Sequence, residues 1–496
     1  MNPPPNKTKI VATIGPTSDS PEMLERLMRA GMNVARLNFS HGGFTGHGER
    51  IARIRAAEKA TGCRVAIMAD LPGPKMRLGN IVPEAIQLAP GDAFTLTSDD
   101  IVGDPHRVAM SFEPLPRVVK PGDRLFLNDG MVQLIVERAA GNEVHCITAV
   151  GGELCSKKGL NLPGINLGIS AFTTHDRACL EFALAHGVDA ISQSFVERAA
   201  DITAVRAAAL ALGKRPFIIA KIERADALVH LDEILQAADG IMVARGDLGV
   251  EVPIEHIAVI QKQIIAKATA AGKPVITATQ MLESMTHNRM PTRAEATDVA
   301  NAILDGTDCI MLSGESAMGS FPEESVAMLA KIAASTEAHR EANWQISETL
   351  LRCAGSATAD GVLADVVQYS IGISPAAAVF VPTQTGSTAR MISRFKPRVW
   401  IVAVSREVAV CQNLAFSYGV CAIHAASEPA DWRDFTLSWL RNAGLPTRLA
   451  ILVAGPSPRH PQANYRVEFL VGSAPCFEQS SRTAAPPEPP AKIATP

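Results

Sequence analysis

Aromatic residues make up only 5% of this 496-residue chain, and no uncharged apolar run approaches bilayer length. The nine cysteines are scattered and odd in number, and no Cys-x-x-Cys pair occurs. That argues against a disulfide framework or a structural zinc site, and fits a reducing compartment. Neither sign of charge dominates: a net charge of −3 offers no handle for nucleic acid or an anionic membrane. The amino terminus, MNPPPNKTKIV, lacks the apolar stretch of a secretory leader. The expectation is a soluble cytoplasmic protein without nucleic-acid or membrane partners. What the chain does have is aliphatic residues, with 47% of it hydrophobic. Such a composition suits helices alternating with parallel strands buried on both faces, and the length calls for more than one domain.

Eight short aliphatic runs share one grammar, apolar residues followed by a polar or glycine-rich end and then helix-like sequence. They are KIVATIGP (9–16), NVARLNFSH (33–41), VAIMADLPG (65–73), DAISQSFV (189–196), FIIAKIE (217–223), GIMVARGDLG (240–249), VITATQML (275–282) and CIMLSGES (309–316). Strand–helix alternation of this kind suits a (β/α)₈ TIM barrel or an open doubly wound sheet. The charged residues cluster at the carboxyl ends of the runs, which favours the barrel, whose catalytic face lies there. The barrel is expected over 1–73 and 170–344. The insert at 74–169, rich in glycine, proline and alternating apolar residues, reads as a small β-barrel or β-sandwich lid over the mouth. Residues 345–475 contain a βαβ pattern across AAAVFVPTQTGSTARMISRFKPRVWIVAVS and read as an α/β domain, with a disordered tail at 476–496.

The ordered motifs KTKIVATIGP, MNVARLNFSHG, KKGLNLPG, KIER, MVARGDLGVE, TATQMLESM and CIMLSGESAMG resemble those of pyruvate kinase, most strongly through the barrel. The third domain resembles the family more loosely, and the final segment ILVAGPSPRHPQANYRVEFL departs from it. The resemblance implies phosphoryl transfer from phosphoenolpyruvate to ADP, giving pyruvate and ATP, with a divalent metal, cations on the moving phosphoryl group and support for the enolate. A phosphoenolpyruvate- or pyruvate-binding aldolase or lyase is the alternative within enzymes. A dead metabolite sensor is the alternative outside them, although Lys221, Glu223, Asp247 and Thr279 are all present.

Glu223 and Asp247 lie at the ends of neighbouring strands and form an oxygen-only pair suited to Mg²⁺ or Mn²⁺. Lys221 alternates with Glu223 and so shares its face; the resemblance places it on the transferred phosphoryl group. Arg36 can fork onto phosphate oxygens, with Asn38 and Ser40 following at alternating positions. The backbone of Gly246 and Asp247 is expected to receive the substrate carboxylate. Thr279, inside strand seven, either relays a proton to the enolate carbon or simply packs as a β-branched residue. Ser313 is expected to support the site from strand eight. Arg77 and Lys158, at the two lid hinges, match nucleotide-phosphate positions; His41 either approaches the nucleotide or caps a helix.

Two further expectations concern regulation and ions. By resemblance, Asn38, Ser40 and Asp70 match ligands of a monovalent cation. Lys75 stands where the cation-requiring pattern has glutamate, and Leu71 replaces a hydroxyl residue, so K⁺ is expected not to be required. Thr383, Thr385, Gly386, Ser387 and Thr388 form either a phosphate loop for a sugar-phosphate or AMP effector, or an ordinary capped turn. The resemblance also implies a homotetramer.

Overall fold

The computed structural model describes residues 3–74, 76–128, 130–165, 168–340, 359–455, 462 and 464–472. Lys75, the stretch 345–358 and the predicted tail at 476–496 lie outside the described residues.

Eight parallel strands close into a barrel in chain order: Lys9–Thr13, Met32–Asn38, Ala66–Leu71, Ala190–Gln193, Phe217–Ile222, Gly240–Ala244, Val275–Ala278 and Cys309–Leu312. Pairing of Lys9 with Cys309 joins the first strand to the last, so the doubly wound alternative is excluded. The strands are buried almost throughout, because helices cover them outside and side chains fill them inside. Local sequence punctuates the alternation. Before the helix Pro21–Ala30, the Ser20 side chain accepts from the Met23 N–H, Pro21 occupies the first turn, and Gly31 ends the helix at φ 120°. Leu24, Leu27 and Met28, three and four apart, are buried on its inner face and contribute about 1.5–3 kcal/mol each.

The period-two alternation of strands then builds the site. A lower apolar layer inside the barrel includes Val11, Val34, Met68, Ala190, Ile219 and Met311. Two residues further along the first five of these strands stand Thr13, Arg36, Asp70, Ser192 and Lys221, on the same face and one layer nearer the mouth. Phe416 of the third domain belongs to the apolar cluster and stacks on Phe217 at 5.3 Å, so this domain plugs the barrel floor. Buried Lys396 and Tyr418 add polar ties to Asp308 at 2.7 and 2.9 Å.

Between the third and fourth barrel strands, a six-stranded sheet and a two-stranded ladder surround a separate apolar core containing Phe94, Leu96, Leu125 and Leu134. Isolated bridges pair Arg77 with Gly159 and Leu78 with Met110, at opposite edges of the six-stranded sheet. The entering segment therefore completes a ring, as the small-barrel expectation requires. Gly73 begins the excursion at φ 67°, where a Cβ would approach Phe195 to 2.8 Å, so only glycine fits. Its N–H donates to Asp176 of the helix Thr174–Ala185, fixing where the insert leaves the barrel.

The third domain is a five-stranded sheet, four strands parallel and the last, Arg466–Val471, antiparallel to Leu449–Ala454. The expected βαβ unit is present as Ala378–Pro382, the helix Ser387–Ser393 and Trp400–Ser405.

Candidate active site

At the barrel mouth, four charged groups from three strands bind one another with almost no exposure to water. Arg36 donates from Nε and Nη2 to Asp70 Oδ2 at 3.0 and 2.5 Å, and from Nη1 to Thr13 Oγ1 at 2.8 Å. Lys221 Nζ lies 2.7 Å from Glu223 Oε1 and 3.4 Å from either oxygen of Asp70, and donates to Ser194 Oγ at 2.7 Å. Asp70 also accepts from Ser192 Oγ at 2.6 Å, and Glu223 accepts from the Phe195 N–H at 2.8 Å. Burial works against the Asp70 carboxylate, but Lys221 and Arg36 outweigh it and hold the group at about 2. Burial likewise opposes the Lys221 charge, yet Asp70 and Glu223 push its pKa above the ordinary lysine value, with Asp247 adding to the rise. Lys221 is therefore held in its charged form.

The strand-end alternation thus brings together Arg36, Lys221 and Glu223 as expected. Asp70 is more central than expected: it bridges Arg36 and Lys221, and these groups supply the positive charge beside it. Asn38 ends its strand, and the alternation stops there. Ser40 lies in the following turn, where its N–H donates to Asn38 Oδ1 at 3.1 Å. Leu71 is fully buried at the end of strand three.

One expectation around the sixth and seventh strands is corrected. Thr279 lies one residue beyond Val275–Ala278 rather than inside the strand, in the left-handed region at φ 70°. A β-branched residue there is strained and is held by its surroundings. Its hydroxyl donates to Ala278 O at 2.6 Å, and its carbonyl accepts from Arg245 Nη2 at 2.8 Å. Arg245 is anchored in turn by Asp298. The N–H of Gly246, expected to face a substrate carboxylate, donates to Thr279 Oγ1 at 2.8 Å. Asp247 is exposed on the short helix Arg245–Glu251. Ser313 follows strand eight, its N–H held by Glu315 Oε2 at 2.7 Å.

The lid hinges meet. Leu78 N–H donates to Lys158 O at 2.9 Å, and Arg77 Nη1 reaches Lys157 O at 3.4 Å, so Arg77 and Lys158 sit on adjacent segments. His41 is exposed and accepts at its carbonyl from His47 Nε2 at 2.9 Å. The helix Phe44–Thr61 begins at Gly43 without a side-chain cap, so capping does not account for His41.

In the third domain, Thr383 Oγ1 accepts from the Gly386 N–H at 2.8 Å, and Thr385 Oγ1 from the Ser387 N–H at 3.3 Å. The hydroxyls of Ser387 and Thr388 both donate to Asp360, at 2.7 and 3.0 Å. An acidic side chain thus occupies two of the hydroxyls expected to face an effector phosphate. Above this loop a cleft is lined by Thr383, Arg406, Trp432 and Arg466.

Ser192, Ser194, Thr13 and Arg245 were missed by motif reading. Ser192 and Ser194 alternate at the end of DAISQSFV, which was the available signal. The all-oxygen pair Glu223 and Asp247 suits a hard divalent cation, and Glu223 has lone pairs beyond its bonds to Lys221 and Phe195. Among the described residues no group of three or more His, Cys, Asp or Glu side chains converges, so substrate and water would complete such a shell.

A closed parallel barrel with paired buried cations at its mouth, an inserted β lid and an α/β appendage defines a TIM-barrel enzyme suited to an anionic substrate. The pyruvate kinase barrel domain matches residues 5–326 and the pyruvate kinase alpha/beta domain residues 362–464; the chain belongs to the pyruvate kinase family. It is 49% identical over 431 residues to a pyruvate kinase of Thermococcus litoralis, covering 85% of this chain and 89% of the relative. A pyruvate kinase of Geobacillus stearothermophilus is 44% identical over 84% of this chain and 71% of its own length. Among solved structures, a pyruvate kinase from Cryptosporidium parvum superposes with a TM-score of 0.87 at 33% identity, covering 94% of this chain and 96% of its own. No helix among the described residues is long and apolar enough to cross a membrane.

Proposed function

We propose that this chain transfers the phosphoryl group of phosphoenolpyruvate to ADP, giving pyruvate and ATP, in the cytoplasm as the last step of glycolysis. The observation that carries the reading is Lys221, a buried cation held between Asp70, Glu223 and Ser194 at the barrel mouth. Its charge is preorganised where the departing phosphoryl group needs it, and costs no reorganisation during reaction. Arg36, already oriented by Asp70 and Thr13, steers the phosphate oxygens. Glu223 and Asp247 would hold Mg²⁺ or Mn²⁺, which when bound neutralises and orients the phosphoryl oxygens.

The substrate carboxylate competes with Thr279 Oγ1 for the Gly246 N–H. Once the carboxylate takes that donor, the Thr279 hydroxyl is free to turn from Ala278 O towards the enolate carbon, with solvent resupplying the proton. Arg77 and Lys158, carried on paired segments of the lid, contact the nucleotide phosphates on closure, with His41 approaching from the barrel. A coupled assay with phosphoenolpyruvate, ADP and Mg²⁺ tests the reading: pyruvate and ATP must form in equal amounts, whereas pyruvate with free phosphate and no ATP would mean hydrolysis, and no pyruvate would favour the aldolase or lyase alternative.

K⁺ is not required on this reading, since Lys75 stands in the sequence where the cation-requiring pattern has glutamate and brings a positive charge of its own. Turnover in tetramethylammonium salts should equal that in K⁺ salts, and Lys75→Glu should make turnover depend on K⁺. The loop Thr383, Thr385, Gly386, Ser387 and Thr388, with Arg406 and Arg466 across the cleft, would hold a sugar-phosphate or AMP effector. Assembly as a homotetramer follows from the family, and sedimentation tests it.

A further inference from the structure

The residue after Glu223 ties three separate parts of the molecule together. Arg224 has a side chain only 3% exposed, and its Nη2 donates to Ile165 O at 3.0 Å. Ile165 belongs to the linker by which the insert returns to the barrel, and its side chain packs in the insert's own core. Arg224 Nε lies 3.4 Å from Glu197 Oε1 and 3.7 Å from Glu251 Oε2. Glu197 stands two residues past Phe195, whose N–H binds Glu223. Glu251 ends the short helix that carries Asp247, and its Oε2 accepts from the Ala225 N–H at 3.4 Å.

A buried guanidinium facing two carboxylates is a weak device for stability, since desolvation offsets most of the attraction. Burial pushes both the Glu197 and Glu251 carboxyls up, and Arg224 pulls them back towards the ionised state. The arrangement instead has directional content. It joins the lid's return linker to the two loops on either side of Glu223, through the residue bonded covalently to Glu223 itself. Neither Nε nor Nη1 has a hydrogen-bond partner among the described residues, so this fork can shorten its 3.4 and 3.7 Å contacts when the lid moves.

We propose that Arg224 is a positioning residue, which seats the lid over the barrel mouth by clamping the linker at Ile165 to the loops holding Glu223 and Asp247. The proposal rests on residues 74–169 acting as the nucleotide lid. Lid position then registers in ADP binding more than in phosphoenolpyruvate binding.

The test uses the full-length enzyme, Arg224→Met and Arg224→Lys. Without ligand, amide exchange in the 160–168 peptide should accelerate in Arg224→Met and be partly restored in Arg224→Lys, with barrel-strand peptides unchanged. The KM for ADP should rise roughly tenfold while that for phosphoenolpyruvate stays within about twofold. Unchanged exchange in that peptide, or a parallel shift of both KM values, overturns the proposal. Should Arg224→Met not fold, Glu251→Gln is read by the same two measurements and must move both in the same direction; no movement overturns it equally. Absence of ADP turnover in the unmodified enzyme would instead defeat the functional reading, while the exchange result would still decide the clamp.

Discussion

The barrel mouth and the third-domain loop both place hydroxyls and charges where a strand gives way to a helix, yet they solve opposite problems. At the mouth, Arg36, Asp70, Lys221 and Glu223 are each under a tenth exposed and bonded chiefly to one another. In the third domain, Ser387, Thr388 and Asp360 are only half-buried, and Arg406 and Arg466 are exposed. Burial makes the first set costly to disturb and therefore preset, because a lone charge there has no water to fall back on. The second set satisfies itself through short local bonds, which the proposed effector phosphate would have to displace. One region is fixed by burial; the other is held by bonds within reach of water.

The largest break in that contrast should come from Lys221→Met. Removing the preorganised cation should lower kcat by roughly 10²–10³-fold or more, with little change in divalent-ion affinity. Both are readable by steady-state kinetics and calorimetric Mn²⁺ titration. Normal turnover would show that the mouth is not poised as described.

Asp70→Asn should come next. It leaves Arg36 and Lys221 short of a compensating charge, and chemical denaturation should show a loss of about 3 kcal/mol at neutral pH. The acid side carries a sign of its own. The folded Asp70 sits at about 2, below its ordinary 3.8, so its contribution is present above 3.8 and is lost as pH falls towards 2. Denaturation midpoints between those values should slope less in Asp70→Asn than in the unmodified enzyme; equal slopes would refute the pairing.

Thr279→Gly should separate activity from stability. Glycine adopts φ 70° without strain, so the variant should be as stable or up to about 1 kcal/mol more stable. Its turnover should nevertheless fall by roughly tenfold or more with the hydroxyl gone. A thermal melt beside a kcat measurement decides it, and full activity would remove Thr279 from the chemistry.

The smallest effect belongs to the third domain. Asp360→Asn withdraws the charged acceptor from Ser387 and Thr388, so binding of a sugar bisphosphate or AMP should tighten by about three- to tenfold. Weaker binding would mean that Asp360 helps to build the anion site rather than blocking it.

How much of this was legible in the sequence follows from the same contrast. Period-two alternation at the end of a parallel strand is a local signal, so Arg36, Lys221 and Glu223 could be placed on their faces before any fold was known. The bonds that join Arg36 to Lys221 through Asp70 were not local: Asp70 lies 34 residues from Arg36 and 151 from Lys221, and only the tertiary pairing of the barrel strands brings all three together. Thr279 was misplaced because a β-branched residue in an aliphatic run argues for an extended strand, and tertiary contacts through Arg245 overrode that preference. The third-domain loop was legible as a turn before a helix. Its partner Asp360 was not, because it comes from the helix Ala359–Ile373, outside the βαβ motif.

The bridge between Arg77 and Gly159 carries one more consequence. The inserted domain begins and ends on neighbouring segments, so its two attachment points share one small patch of the barrel rim. Topologically the barrel meets the whole excursion as a single loop, and its own strand order runs past the gap without a crossing. Such a module can be lengthened, shortened or exchanged without renumbering the ring beneath it. Geometry of this kind lets evolution revise the cover of an active site while leaving the vessel untouched.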